Sequence, residues 1–224
     1  MTDTESSGFA ARRADAVREI NDVAAEYAQA ALDALHAEDI LGHIPVVRTA
    51  LAAANAVGSL RDHLLLKKIG IFLYAISSIP SADRRAMVQK LHEDPVFGEN
   101  LGEHLIELLD RLDGRRKPAM VGAVFAAYAF AQVDAKTVRR LNWAVQNLPI
   151  AEIDSLRALA AFNQKTVDNR TPRGARPDRI AMQSLSNAGL AEPEFLPNDT
   201  WYQLNEVGRI FLELELDRIR PSQV

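Results

Sequence analysis

Apolar residues return at three- and four-residue steps along most of this chain, the spacing of helices that bury one face. Over residues 9–36, Val17, Ile20, Ala24, Tyr27, Ala31 and Leu35 make one stripe and predict a first helix. Gly42-His43-Ile44-Pro45 breaks it, and a small-residue helix follows over roughly 46–58. Ser59-Leu60-Arg61-Asp62 has the form of a capping box, with Asp62 where Glu or Gln is usual. The helix it opens, 60–77, is apolar nearly all round beyond Lys68: Leu65, Ile69, Phe72 and Ile76 mark one face, Leu66 and Leu73 another. A helix of that kind belongs in the middle of a bundle.

Pro80 and Ser81 end that helix and start the next, with Asp83 in its first turn. Asp94-Pro95 is the next start signal, a cap followed by proline at the first helical position. The helix expected there carries Phe97, Leu101, Leu105, Leu108 and Leu112 on one face and ends at Gly114. Pro118 opens an uncharged helix, and Asp134 opens another with Val138, Leu141, Val145 and Leu148 in register. A last bundle helix covers about 151–163. No stretch of residues 9–163 alternates with period two, so this part predicts a bundle of six to eight helices.

The pattern then changes. Asp178 caps a helix that ends at Gly189; Ala191–Leu196 reads as a strand with Pro193 tolerated at an edge. Residues 197–200 are a turn signal, and 201–205 return as an alternating aromatic strand. Asn205 caps a final helix with Val207, Ile210, Phe211 and Leu214 on one side. Helix, hairpin and helix in this order predict a winged-helix-like subdomain over 179–224, although no helix-turn-helix partner lies at short spacing before it. The expected fold is therefore mainly α: residues 1–8 disordered, a helical bundle over 9–163, a basic linker over 164–178, and the tail with its β-hairpin.

Composition narrows the chemistry. The 224 residues are 48% hydrophobic and 25% charged, with a net charge of −4, ordinary values for a globular chain that exerts no general pull on nucleic acid or anionic lipid. There is no cysteine, which excludes disulfides, thiolate nucleophiles and Cys-based zinc sites. The start lacks an apolar signal-peptide core, so a cytoplasmic location is expected. The apolar stretches 64–80 and 118–133 are short for a membrane span and read as core helices. Phosphate loops, nucleophile elbows and dinucleotide fingerprints are missing. Of the five histidines (His36, His43, His63, His92 and His104), Asp33 with His36 forms one metal-like pair, but a bundle metal centre needs a second pair, which the sequence lacks. His104 lies among Glu103, Glu107 and Arg111, the ladder of a solvated helix face. Gly98 and Gly102, one helical turn apart, suit close helix packing. No catalytic residue, metal or cofactor is expected, and the chain reads as no enzyme.

The candidate contact residues are Arg170, Arg173, Arg176 and Arg179. Between Lys165 and Arg179 five basic residues face two acidic ones, a local net of +3, which suits phosphate groups of nucleic acid or a partner surface. An exposed basic linker is the plainer account of the same residues. A winged-helix regulator would read bases with Arg179, Gln183, Ser186 and Asn187. Against it, residues 180–224 hold three basic and seven acidic residues, and the hairpin carries Glu192, Glu194 and Asp199. Such a wing repels the DNA backbone.

Ser59-Leu60-Arg61-Asp62 with LLLKKIGIFL after it, FGENLGEHLIELLDRLDGRRKPAMVGAVFAAY, and the end GLAEPEF…YQLNEVGRIFLEL together resemble a bacterial family of unknown function labelled Abi-alpha, for abortive-infection alpha. The resemblance runs from about Ile40 to Phe162 and includes the tail; GEHLIELLDRLDGRRK at 102–117 is its most specific piece. It implies a role in anti-phage defence and brings no catalytic motif. The expectation is a non-enzymatic interaction module with a protein partner or self-association. A DNA-binding regulator and a membrane-perturbing effector are the alternatives. Nucleic-acid binding, if any, is expected to be weak, and membrane contact is not expected at rest.

Overall fold

The structure, a computed structural model, describes residues 60–77, 79–95, 97–167, 178–196 and 199–219. The helices expected over 9–36 and 46–58, the N-terminal residues 1–8, and Arg170, Arg173 and Arg176 lie outside the described residues. The fold is mainly helical with one small antiparallel hairpin near the C-terminus. Its chain divides into two compact units, one ending at Gly122 and the other beginning at Ala123.

The first unit is built on α1 (Leu60–Ser77), α2 (Ser81–Glu93) and α3 (Leu101–Arg111), with the start of α4 (Arg116–Ala129). Ile69, Ile71, Phe72, Leu73 and Ile76 of α1 are all buried, as the all-round apolar pattern requires; Leu64 and Tyr74 are the exposed exceptions. α1 packs on α3, whose Leu101, Leu105 and Leu109 point inward. A methyl group on Gly122 of α4 would collide with Cβ of Ala75, so the glycine lets those two backbones approach. At the corner between α1 and α2, which turns by 119°, the buried Arg84 donates from Nη1 to the carbonyls of Ser77 (3.1 Å) and Ile79 (2.7 Å). A helix end leaves its last carbonyls without helical partners, and Arg84 satisfies one of them.

The helix expected to open at Asp94-Pro95 begins instead at Leu101. Asp94 does accept a bond from the Phe97 N–H (3.3 Å), but Gly98 then turns left-handed at φ +46°, which no α-helix can contain. A 3-10 turn over Gly98–Asn100 leads into α3. Gly98 is thus a turn residue rather than a helix-packing one, and a Cβ placed on it would meet nothing within 4 Å.

In the second unit, Asp134 accepts from the Thr137 N–H (2.7 Å) and caps α5 (Ala135–Asn147), whose Val138, Leu141, Ala144 and Val145 are buried. Pro149 and a 3-10 turn lead into α6 (Ile153–Val167). Asp178 accepts from the Ile180 N–H (3.1 Å) and caps α7 (Arg179–Asn187). β1 (Ala191–Leu196) and β2 (Asp199–Leu204) pair from Ala191↔Leu204 to Leu196↔Asp199, so β2 starts two residues before the position expected from the sequence. Asn205 accepts from the Gly208 N–H (2.9 Å) and caps α8 (Glu206–Glu213).

β1 packs on α7, β2 on α6, and α8 on α5, around Leu141, Leu156, Leu185, Leu190 and Phe211. Asn163 of α6 donates to the Tyr202 carbonyl (3.2 Å) and accepts from the Leu204 N–H (2.7 Å). Arg157 of α6 binds Asp217 twice, through its carboxylate (2.6 Å) and its carbonyl (2.8 Å), and so ties down the closing turn Leu216–Arg218. Trp201 packs against Phe162 at a centroid distance of 5.9 Å. Among the described residues no single helix is long and apolar enough to cross a membrane.

Candidate functional site

Arg179 is the one residue of the expected arginine set among the described residues; it is exposed at the first position of α7. A cation at a helix N-terminus opposes the helix dipole, so it adds nothing to the stability of α7. Of the expected base-reading residues on the same helix, Gln183 and Asn187 are engaged with neighbours. Gln183 accepts from the Tyr202 hydroxyl (3.1 Å) and donates to Asn187 Oδ1 (3.1 Å). On the hairpin, Glu192 and Glu194 are exposed, and Gln203 donates to Glu194 (2.8 Å). Two large apolar side chains stand out of this surface: Ile180 is 75% exposed and Phe195 80%. The register puts Phe195 on the Pro193–Tyr202 face, the face that meets Gln183, one cross-strand pair further out.

His92 and His104 are exposed, and Glu107 and Arg111 beside His104 pair across one turn at 3.3 Å, a solvated ladder. No three His, Asp or Glu side chains converge among the described residues.

The apolar stripe of α5 is buried, and its opposite face is the basic one. That face lines an open cleft of about 490 Å³ with Lys136, Arg139, Arg140 and Trp143. The facing wall is the turn at Gly189, Glu192 of β1, and the start of α8 at Asn205, Glu206 and Val207. Gly189 ends α7 at φ +74°, a left-handed position that glycine takes without strain. A Cβ on it would lie 3.7 Å from Cδ1 of Trp143, so the indole edge lies directly over this turn. Asn205 holds the wall together: its side chain donates to the Gly189 carbonyl (2.9 Å) while capping α8, and its N–H donates to the Leu190 carbonyl (3.2 Å). Gly208 makes the approach possible, since a methyl there would collide with the Leu190 carbonyl oxygen.

Electrostatically the cleft is a local exception. It sets three cations against Glu192 and Glu206 in a chain whose net charge is −4. At the cap of α5 the Thr137 hydroxyl and N–H hold the Asp134 carboxyl below the usual range, helped by Lys136 and Arg139. The signal that could have revealed the site is the spacing of Lys136, Arg139, Arg140 and Trp143 at i, i+3, i+4 and i+7, opposite the apolar stripe. The wall contributed by residues 189–207 has no such local signal. No family model, curated protein or solved structure matches the chain.

Proposed function

We propose that this chain is a non-enzymatic interaction module of the abortive-infection kind its sequence resembles, with a winged-helix-like tail that meets a protein rather than reading DNA. In this reading α6 and α7 are the helix pair, the β1–β2 hairpin is the wing, and α8 closes the unit. The long connection between α6 and α7 explains why no partner helix is visible at short spacing in the sequence.

One observation carries the proposal: the α7–hairpin surface presents Ile180 and Phe195 to solvent, while Gln183 accepts from Tyr202 and donates to Asn187. Base reading needs free side-chain amides and a basic wing. Here Gln183 is engaged at both its oxygen and its nitrogen, Asn187 at its oxygen, and the wing is acidic. Exposed large apolar side chains beside carboxylates suit a protein interface instead. Fold alone does not decide between these uses; the side chains on this surface do.

The test is phage challenge of bacteria expressing the full chain. Protection is expected, and it should be lost with Ile180→Asp plus Phe195→Asp while circular dichroism stays unchanged. Gln183→Ala plus Asn187→Ala should retain it. Loss of protection with the second pair, together with sequence-specific duplex binding by the parent chain, would overturn the proposal in favour of a DNA-binding regulator.

A further inference from the structure

We infer that the cleft between α5 and the Gly189 turn binds a nucleotide unit, its phosphate held by Lys136, Arg139 and Arg140 and its base stacked on Trp143. This site is separate from the α7–hairpin surface and does not depend on the function proposed for it.

The first argument is where the cations sit. α5 contains no acidic residue, and its three cations lie in its first half, with Lys136 in the first turn. The helix dipole disfavours Lys136 in the first turn, and Lys136 repels Arg139 and Arg140 three and four residues on. The Asp134 carboxylate at the cap draws on Lys136 and Arg139 and offsets part of this cost, and a bound anion would relieve the rest. Arginine forks match phosphate oxygens in pairs, and lysine adds a point charge.

The second is Trp143. Its indole is 57% exposed although its body is apolar. It lies one turn beyond Arg139, has its Cδ1 edge over the Gly189 turn, and lines the cleft. From Lys136 to Trp143 the helix advances about 10 Å. A ligand with a phosphate at one end and a flat π-system at the other fits that order. Base-on-aromatic stacking tolerates any base.

The third is the facing wall. Its volume of about 490 Å³ lies within the range of small-molecule sites. Glu192 and Glu206 accept hydrogen bonds from amino or hydroxyl groups and repel phosphate, which fixes the ligand's direction along α5. The N–H groups of Glu206 and Val207, which open α8 beside the Asn205 cap and line the cleft, have no helical partners and add donors on the same side.

The nucleotide could be free or part of a single strand, and binding to the full-length protein separates the two. One arm titrates adenosine and guanosine mono- and triphosphates. The other titrates short unstructured oligonucleotides, and inorganic phosphate serves as the comparison ligand. Saturable binding with quenching of tryptophan fluorescence is expected in one arm, with phosphate alone weaker by about tenfold or more. Arg139→Gln plus Arg140→Gln should weaken binding by about tenfold or more, and Trp143→Ala likewise, while Trp143→Phe restores part of it. A steep salt dependence is expected only for the oligonucleotide arm. The inference fails if neither arm saturates, if phosphate alone binds as well as the nucleotides, or if the cleft variants bind like the parent with unchanged melting temperatures. It also fails if only replacing Arg170, Arg173 and Arg176 with alanine removes binding, since the contact would then lie in the arginine segment.

Discussion

Arg84 is a buried cation whose work is structural: Nη1 answers the Ser77 and Ile79 carbonyls at the α1–α2 corner. Replacing it with methionine keeps the apolar stem and strands both acceptors, so Arg84→Met should cost about 2–4 kcal/mol in chemical denaturation. The buried Nε, which has no bond, keeps the figure from being higher. Gly208 makes the opposite point, because there a gain of one carbon is the damage. Gly208→Ala should destabilise by about 1–3 kcal/mol, since the obstacle is the Leu190 backbone oxygen and not a movable side chain; a denaturation midpoint equal to that of the parent would show that the turn yields. Neither role was legible in the sequence. Neither residue carries a local signal for its role, because what each touches comes from outside its own helix. The caps Asp134, Asp178 and Asn205 were legible, since a capping side chain bonds within three residues of itself.

Among the elements, α1 was read correctly from its pattern alone: Phe72 and its neighbours are buried as an all-round apolar helix demands. Phe72→Ala should cost about 3–5 kcal/mol, read as a shift of the denaturation midpoint; a loss below about 1 kcal/mol would mean that the site collapses around the smaller residue. α3 was placed too early because Asp94-Pro95 is a sound start signal, and only the backbone angle of Gly98 cancels it. A sequence shows that a glycine can turn left-handed, not that it does. α5 is a middle case. Its buried stripe was plain, whereas the meaning of Lys136, Arg139, Arg140 and Trp143 depends on a wall that begins 46 residues beyond Trp143, at Gly189. Local spacing could suggest a basic face and could not supply the cleft.

For the whole molecule, the carboxylates set the response to acid. Arg61 hydrogen-bonds Asp110 at 2.5 Å and holds its carboxyl below the ordinary range, and Asp134 is held low by Thr137. Groups depressed in the folded state stabilise it fully above the ordinary carboxylate range and lose that contribution as the pH falls through their lower folded values. Stability should therefore be flat down to about pH 5 and fall below about pH 4. Arg61→Ala should make that acid limb shallower, measured by denaturation midpoints at each pH. The same chain must also avoid sticking to copies of itself, and Asn163 bears on that. Its carboxamide occupies the outward carbonyl of Tyr202 and the outward N–H of Leu204, the groups a further strand would need. By the same register, Pro193 puts a nitrogen without hydrogen on the outer side of β1. Both rims of the hairpin are thus poor templates for strand addition. Asn163→Ala should uncover one of them and promote heat-induced aggregation, seen as light scattering before the helical signal is lost.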